Sequence, residues 1–197
     1  NFQGSDLALH IEAYREAGNK LVECSLKDQS FPHEIALPIS SLYRLYLELS
    51  LKQLIFLGNQ LLTNPFTWND EDSRIVGFPP THNLRYLLSN CRDILNQLEP
   101  VHKPLTDLHF DLLETCIHDY FSKESIHELI RDHFSMDVKE DSFRYPIDKK
   151  GNPFLPDRYF VNIYELRESI NRVDTLFFDE ALLAIIDILQ KTVRPVT

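Results

Sequence analysis

Apolar residues recur at spacings of three and four through most of this chain, and the polar stretches between them mark where helices stop. From Asp6 to about Lys27 the apolar positions Leu7, Ile11, Tyr14, Leu21 and Leu26 fall roughly on one face, which predicts a first helix. The run "FPHEIALP" ends it. A second helix is predicted from near Ser40 to about Leu62; it is apolar nearly all round, the pattern of a central helix packed on several sides. The polar, proline-bearing "TNPFTWNDEDSRIVGFPP" reads as a long loop. Thr81 then stands as an N-cap before Leu84, Leu87, Leu88, Cys91, Ile94, Leu95 and Leu98, and Glu99-Pro100 stops that third helix. A fourth helical region runs from about Thr106 to Phe134 with a break near Ser122, and its core positions are Leu108, Leu112, Cys116, Leu129 and Ile130. The last helix opens at Asn162, with Glu165 three residues on as in a capping box, and carries Leu166, Ile170, Val173, Phe177, Leu182, Ile186 and Leu189.

One stretch breaks the helical pattern. "SFRYPIDKKGNPFLPDRYFVN", residues 142–162, is aromatic, proline-rich and basic. Phe143–Ile147 and Tyr159–Val161 are short and β-prone, Gly151-Asn152 permits a tight turn, and Pro146 limits its segment to an edge. A small irregular hairpin or extended insertion against the helices is expected there. The fold class that follows is all-α: an antiparallel, up-and-down helical bundle with this insertion before its last helix. Residues 1–5, "NFQGS", read as an expression-tag remnant, and 6–197 as a single domain. There is no internal repeat.

Composition narrows the functional classes. Hydrophobic residues make up 43% of the 197 and charged ones 25%, as in an average globular protein. Thirty acidic against 20 basic residues give a net charge of -10, which argues against general nucleic-acid binding and leaves room only for a local basic patch. The most apolar run, "LYRLYLELSLKQLIFL", carries Arg44, Glu48 and Lys52 and is short for a membrane span, so a cytoplasmic protein without membrane association is expected. Cys24, Cys91 and Cys116 lack CxxC spacing and read as three buried, reduced thiols.

Three groups of residues can carry chemistry. Arg44, Glu48 and Lys52 are spaced by four, so they share a helix face, either as a solvated stripe of ion pairs or as the charged lining of a groove. His82 lies at the start of its helix, where it either caps and packs against the loop or acts as a donor or proton shuttle, with Arg85 following on the same face. In "FRYPIDKKG", Arg144 suits a phosphate, Tyr145 suits stacking on a base, and Lys149 and Lys150 add positive potential; pairing of Arg144 with an acidic residue is the alternative. His102, His109, His118, His127 and His133 cluster in the fourth helical region, yet no HExxH or other tight ligand spacing appears, so no metal is expected. There is no P-loop, GxGxxG or GxSxG, and no cofactor is expected.

The order of these segments carries a resemblance. A central "YLELSLKQLIFLG" helix, a loop ending in "THNLRYLL", further helices, then "FRYPIDKKGN" before "VNIYELRESI" resemble the HEPN superfamily, and within it the bacterial HEPN-like proteins of defence and toxin–antitoxin settings. The resemblance runs from about residue 38 to 190 and rests on order and spacing more than on any one string. It implies an up-and-down helical bundle, a homodimer with a cleft between protomers, a partner protein from a defence or toxin–antitoxin system, and RNA or a nucleotide as ligand. Many members are metal-independent ribonucleases that use an Arg, four to six intervening residues and a His. Here no Arg stands at that distance before any of the eight histidines, and Arg74 and His82 are separated by seven residues. The matching positions are Glu48 and Lys52, His82 with Leu84, and Arg144-Tyr145-Pro146. The resemblance therefore implies a dimerising binding or regulatory module without the usual ribonuclease motif; the alternative is a metal-independent ribonuclease with a rearranged site built on His82 and Arg144.

Overall fold

The computed structural model describes residues 4–28, 35–67, 79–98, 107–121 and 162–193. The chain is an all-α helical bundle: α1 (Gly4–Asp28), α2 (Ala36–Asn59), α3 (Leu84–Leu98), α4 (Asp107–Phe121), and a last helix made of α5 (Ile163–Val173), a π-helical turn (Asp174–Phe178) and α6 (Asp179–Val193). No strand occurs among the described residues. The insertion expected at 143–161, with Arg144, Tyr145, Lys149 and Lys150, lies outside them, as do His102, His127 and His133.

Several boundaries differ from those expected, each for a local reason. Helix α1 begins at Gly4, so two of the residues set aside as a remnant form its first turn. Helix α2 begins at Ala36, not Ser40, with Pro38 inside its first turn, where an N–H has no helical partner to lose. The N-cap of α3 is Asn83, whose side chain accepts from the Tyr86 N–H at 2.9 Å; Thr81 braces the cap by accepting from the Asn83 N–H at 3.1 Å. At α5, Asn162 caps as expected, accepting from Tyr164 N–H and Glu165 N–H.

Packing groups the chain into two compact units, Asn1–Tyr46 with Thr115–Asn171 and Leu47–Glu114 with Arg172–Thr197. In the first, α1 buries Leu7, Ile11, Gly18 and Val22, while Leu26, expected in the core, is exposed. Gly18 permits a close approach: a Cβ there would stand 2.6 Å from a ring carbon of the buried Tyr43. The Tyr43 hydroxyl donates to Asn19 Oδ1 at 2.8 Å, and burial pushes this phenol well above its ordinary value. Asn19 in turn reaches Asn171 of α5.

In the second unit, two contacts fix how α2 and α3 lie. His82, just before α3, meets Glu48 in the middle of α2, and Gly58 near the end of α2 faces Ile94 and Leu98 near the end of α3. The pair therefore runs side by side in one direction, a departure from strict alternation within the bundle that the long connection, residues 60–83, permits. Leu84, Leu87, Leu88, Cys91, Ile94 and Leu95 are buried, as the spacing predicts, while Leu98, the last of the expected stripe, is half-buried. On α4 the buried set is Phe110, Leu113, Cys116 and Ile117, with Leu112 only half-buried.

A π turn joins α5 to α6. Its wider i→i+5 turn lets two consecutive residues, Phe177 and Phe178, both face inward, and Phe177 meets Phe110 edge-on at 5.2 Å between centroids. After it Ala181 and Ile185 are buried at spacings of four from Phe177, whereas Leu182 and Ile186, expected in the stripe, are half-buried and exposed.

Candidate functional site

Glu48 is the centre of the polar cluster that the sequence pointed to. Helix α2 is flanked by apolar packing on both sides of this residue, with Leu47 and Leu51 fully buried, so the carboxylate is only 2% exposed. A carboxylate taken so far from water needs partners, and one oxygen supplies them. Glu48 Oε1 accepts from Lys52 Nζ at 3.0 Å, one helical turn on, and meets His82 Nδ1 at 2.7 Å. The Lys52 side chain is 12% exposed and that of His82 51%. The expected stripe of solvated ion pairs is thus a buried pair joined to a half-exposed imidazole.

Burial alone would raise the Glu48 pKa, but the Lys52 charge, its hydrogen bond and the His82 contact together outweigh it, and the carboxyl sits below its ordinary value. That settles the proton on the imidazole. An ionised carboxylate only accepts, so the short bond requires N–H at His82 Nδ1, and Nε2 is then the acceptor of the neutral ring. The local chain holds the ring in place. Pro79 is buried, Pro80 restricts the residue before it, and Asn83 caps the helix immediately after, so the backbone on either side of His82 is constrained. Further back, Asn59 closes the exit from α2: its amide donates to Phe66 O at 3.0 Å and accepts from Phe66 N–H at 2.7 Å.

Of the residues singled out by sequence, the structure brings Glu48, Lys52 and His82 together, with exposed Arg85 on the first turn of α3. Arg44 is 5% exposed and belongs to the first packing unit. No protein-family model, curated protein or solved structure matches the chain. The chemistry of the cluster is therefore read from its own atoms: a fixed, ionised carboxylate that orients a partly exposed imidazole.

Arg92 escaped sequence reasoning. Its guanidinium lies 4.8 Å from the Phe110 centroid, with Glu114 at 3.5 Å and Asp111 at 3.8 Å. An arginine next to Cys91 in a strongly amphipathic helix was the available signal, but nothing in the spacing named its partners on α4. Among the described residues no group of three or more His, Cys, Asp or Glu is placed to hold a metal ion. Cys91 and Cys116 are buried free thiols pushed up to about 12 by burial, which keeps them protonated; Cys24, expected buried, is exposed. No described helix is long and apolar enough to cross a membrane.

Proposed function

We propose that this chain is a HEPN-like module that binds RNA or a nucleotide, dimerises, and works beside a partner protein in a prokaryotic defence or toxin–antitoxin setting in the cytoplasm, without standard HEPN ribonuclease chemistry. The observation that carries the reading is the 2.7 Å contact between buried Glu48 and half-exposed His82. A histidine that merely filled space would not need a buried carboxylate to set its tautomer while half of its side chain met solvent. An imidazole so held presents a directed polar edge to a ligand.

Binding fits the cluster better than turnover. Cleaving RNA by transesterification requires one group to take the 2′-hydroxyl proton and another to return one to the leaving oxygen. Glu48 is held ionised and cannot donate, and Lys52 is engaged with it, which leaves the imidazole alone to exchange protons. The second reading is a metal-independent ribonuclease with a rearranged site, and the same bond favours it: a carboxylate on Nδ1 orients the ring with Nε2 as the proton acceptor, and a second copy can bring the missing acid. Incubation with total RNA and defined tRNA in EDTA separates the two. The binding reading expects retarded RNA of unchanged length, lost with His82→Ala. Discrete fragments that disappear with His82→Ala would establish the ribonuclease, and RNA neither retarded nor cut would sink both.

A further inference from the structure

We infer that the outer face of the last helix, formed by Leu176, Leu183 and Ile186 with Asp179 and Glu180, docks a basic amphipathic helix of the partner protein. This rests on the reading above, which gives the chain a partner, and adds the surface that takes it and the chemistry of the segment that fits. Asp179, Leu183 and Ile186 are spaced by four and three within the regular helix α6, and Glu180 stands three before Leu183. All four are exposed, Leu183 at 60%, while Ala181 and Ile185 on the opposite side are buried. Leu176, also exposed, lies just before them in the π turn.

The two carboxylates have no task inside the fold. Acidic residues commonly open a helix, where free N–H groups meet them, but the chain enters α6 without such an end. Asp179 has helical backbone angles, and its N–H already bonds Asp174 O. Neither Asp179 nor Glu180 meets a cation among the described residues. Charge then decides what covers an apolar strip edged by such carboxylates. Nucleic acid and an anionic bilayer are repelled by it. A second copy brings the same carboxylates against their like, in a chain of net charge -10. A helix with leucine-like side chains at spacings of three and four, and lysine or arginine beside them, buries the strip and pairs the acids. Partner and second copy exclude one another on this face, so the partner releases the dimer.

The test uses the whole chain and a labelled synthetic peptide with leucines at heptad a and d positions and lysines beside them. Its controls are a scramble of the same composition and a peptide with glutamate for each lysine. By anisotropy the lysine peptide should bind roughly tenfold more tightly than the scramble, and the glutamate peptide should not bind. Asp179→Asn with Glu180→Gln should weaken the peptide about fivefold and strengthen the dimer seen by light scattering, opposite signs that a loss of fold cannot produce. Leu183→Glu should abolish binding although it adds a negative charge; all three positions are exposed, so the core is untouched. Undiminished binding by Leu183→Glu, or by the scramble, means mere attraction of cations to an acidic chain and overturns the inference. So does a peptide indifferent to Asp179→Asn with Glu180→Gln. A dimer that persists with the peptide saturated overturns the exclusion. A chain of single mass at every salt concentration overturns the dimerising part of the reading above, while docking is judged by the peptide alone.

Discussion

Removing the Glu48 carboxylate strands the Lys52 ammonium where its side chain is only 12% exposed. Breaking a buried pair from one side leaves an uncompensated charge, so Glu48→Ala should lower stability by about 3 kcal/mol in urea unfolding. The pH dependence has a definite sign. The folded Glu48 pKa lies below its ordinary value of 4.5, so the stabilisation is present above that pH and is lost as pH falls through the folded value. Glu48→Gln should therefore flatten the acid limb of a stability profile below about pH 4.5, and an acid limb as steep as that of the unaltered protein would refute the assignment. Half of this cluster was legible beforehand. Glu48 and Lys52 are four apart on one helix, and helical geometry alone makes them neighbours. The contact to His82 spans 34 positions, and no periodicity connects residues across a loop of that length.

At the scale of elements, two glycines inside helices mark where neighbours touch most closely. A Cβ on Gly58 would come within 2.7 Å of Ile94 Cγ2, and Ile94 is itself 1% exposed with little room to move. Alanine gains about 1 kcal/mol of intrinsic helix propensity over glycine, while overpacking a core costs about 1–3 kcal/mol. The clash should win, and Gly58→Ala should lower the thermal midpoint. In a double-mutant cycle Ile94→Ala should relieve part of that loss, since the two side chains compete for one space; strict additivity would show that they do not. The buried face of helix α3 was readable from Leu84 to Leu95 because one unbroken 3.6-residue stripe meets one core, whereas its cap, Asn83 in place of Thr81, was not. The last helix was readable only as far as Phe177. Beyond it the larger side chains of Leu182 and Ile186 drew the expected stripe one position too far, and the small Ala181, at a spacing of four from Phe177, is the residue that is buried. On α4, several apolar positions crowd adjacent places, and periodicity could not choose between Leu112 and its buried neighbour Leu113.

At the scale of the whole molecule, Leu176, Leu183 and Ile186 are exposed at 43%, 60% and 38%. These side chains are the apolar surface on which the proposed dimer rests, and they are interleaved with the exposed Asp179 and Glu180. Two copies meeting through this face would bury the leucines and bring like charges together in a protein that already carries -10. The apolar part is insensitive to moderate salt, whereas repulsion between exposed carboxylates is screened beyond about 8 Å at physiological ionic strength. Dimerisation should therefore strengthen as salt is raised, opposite to an interface built on ion pairs. Light scattering at micromolar concentration should give twice the 23.1 kDa chain mass, with the dimer dissociating more readily at low salt. Leu183→Glu adds a charge at the most exposed of the three positions and should return the mass to 23.1 kDa without lowering the thermal midpoint of the monomer. A mass of one chain at every salt concentration would rule out the dimer. A dimer untouched by Leu183→Glu would move its interface away from α6.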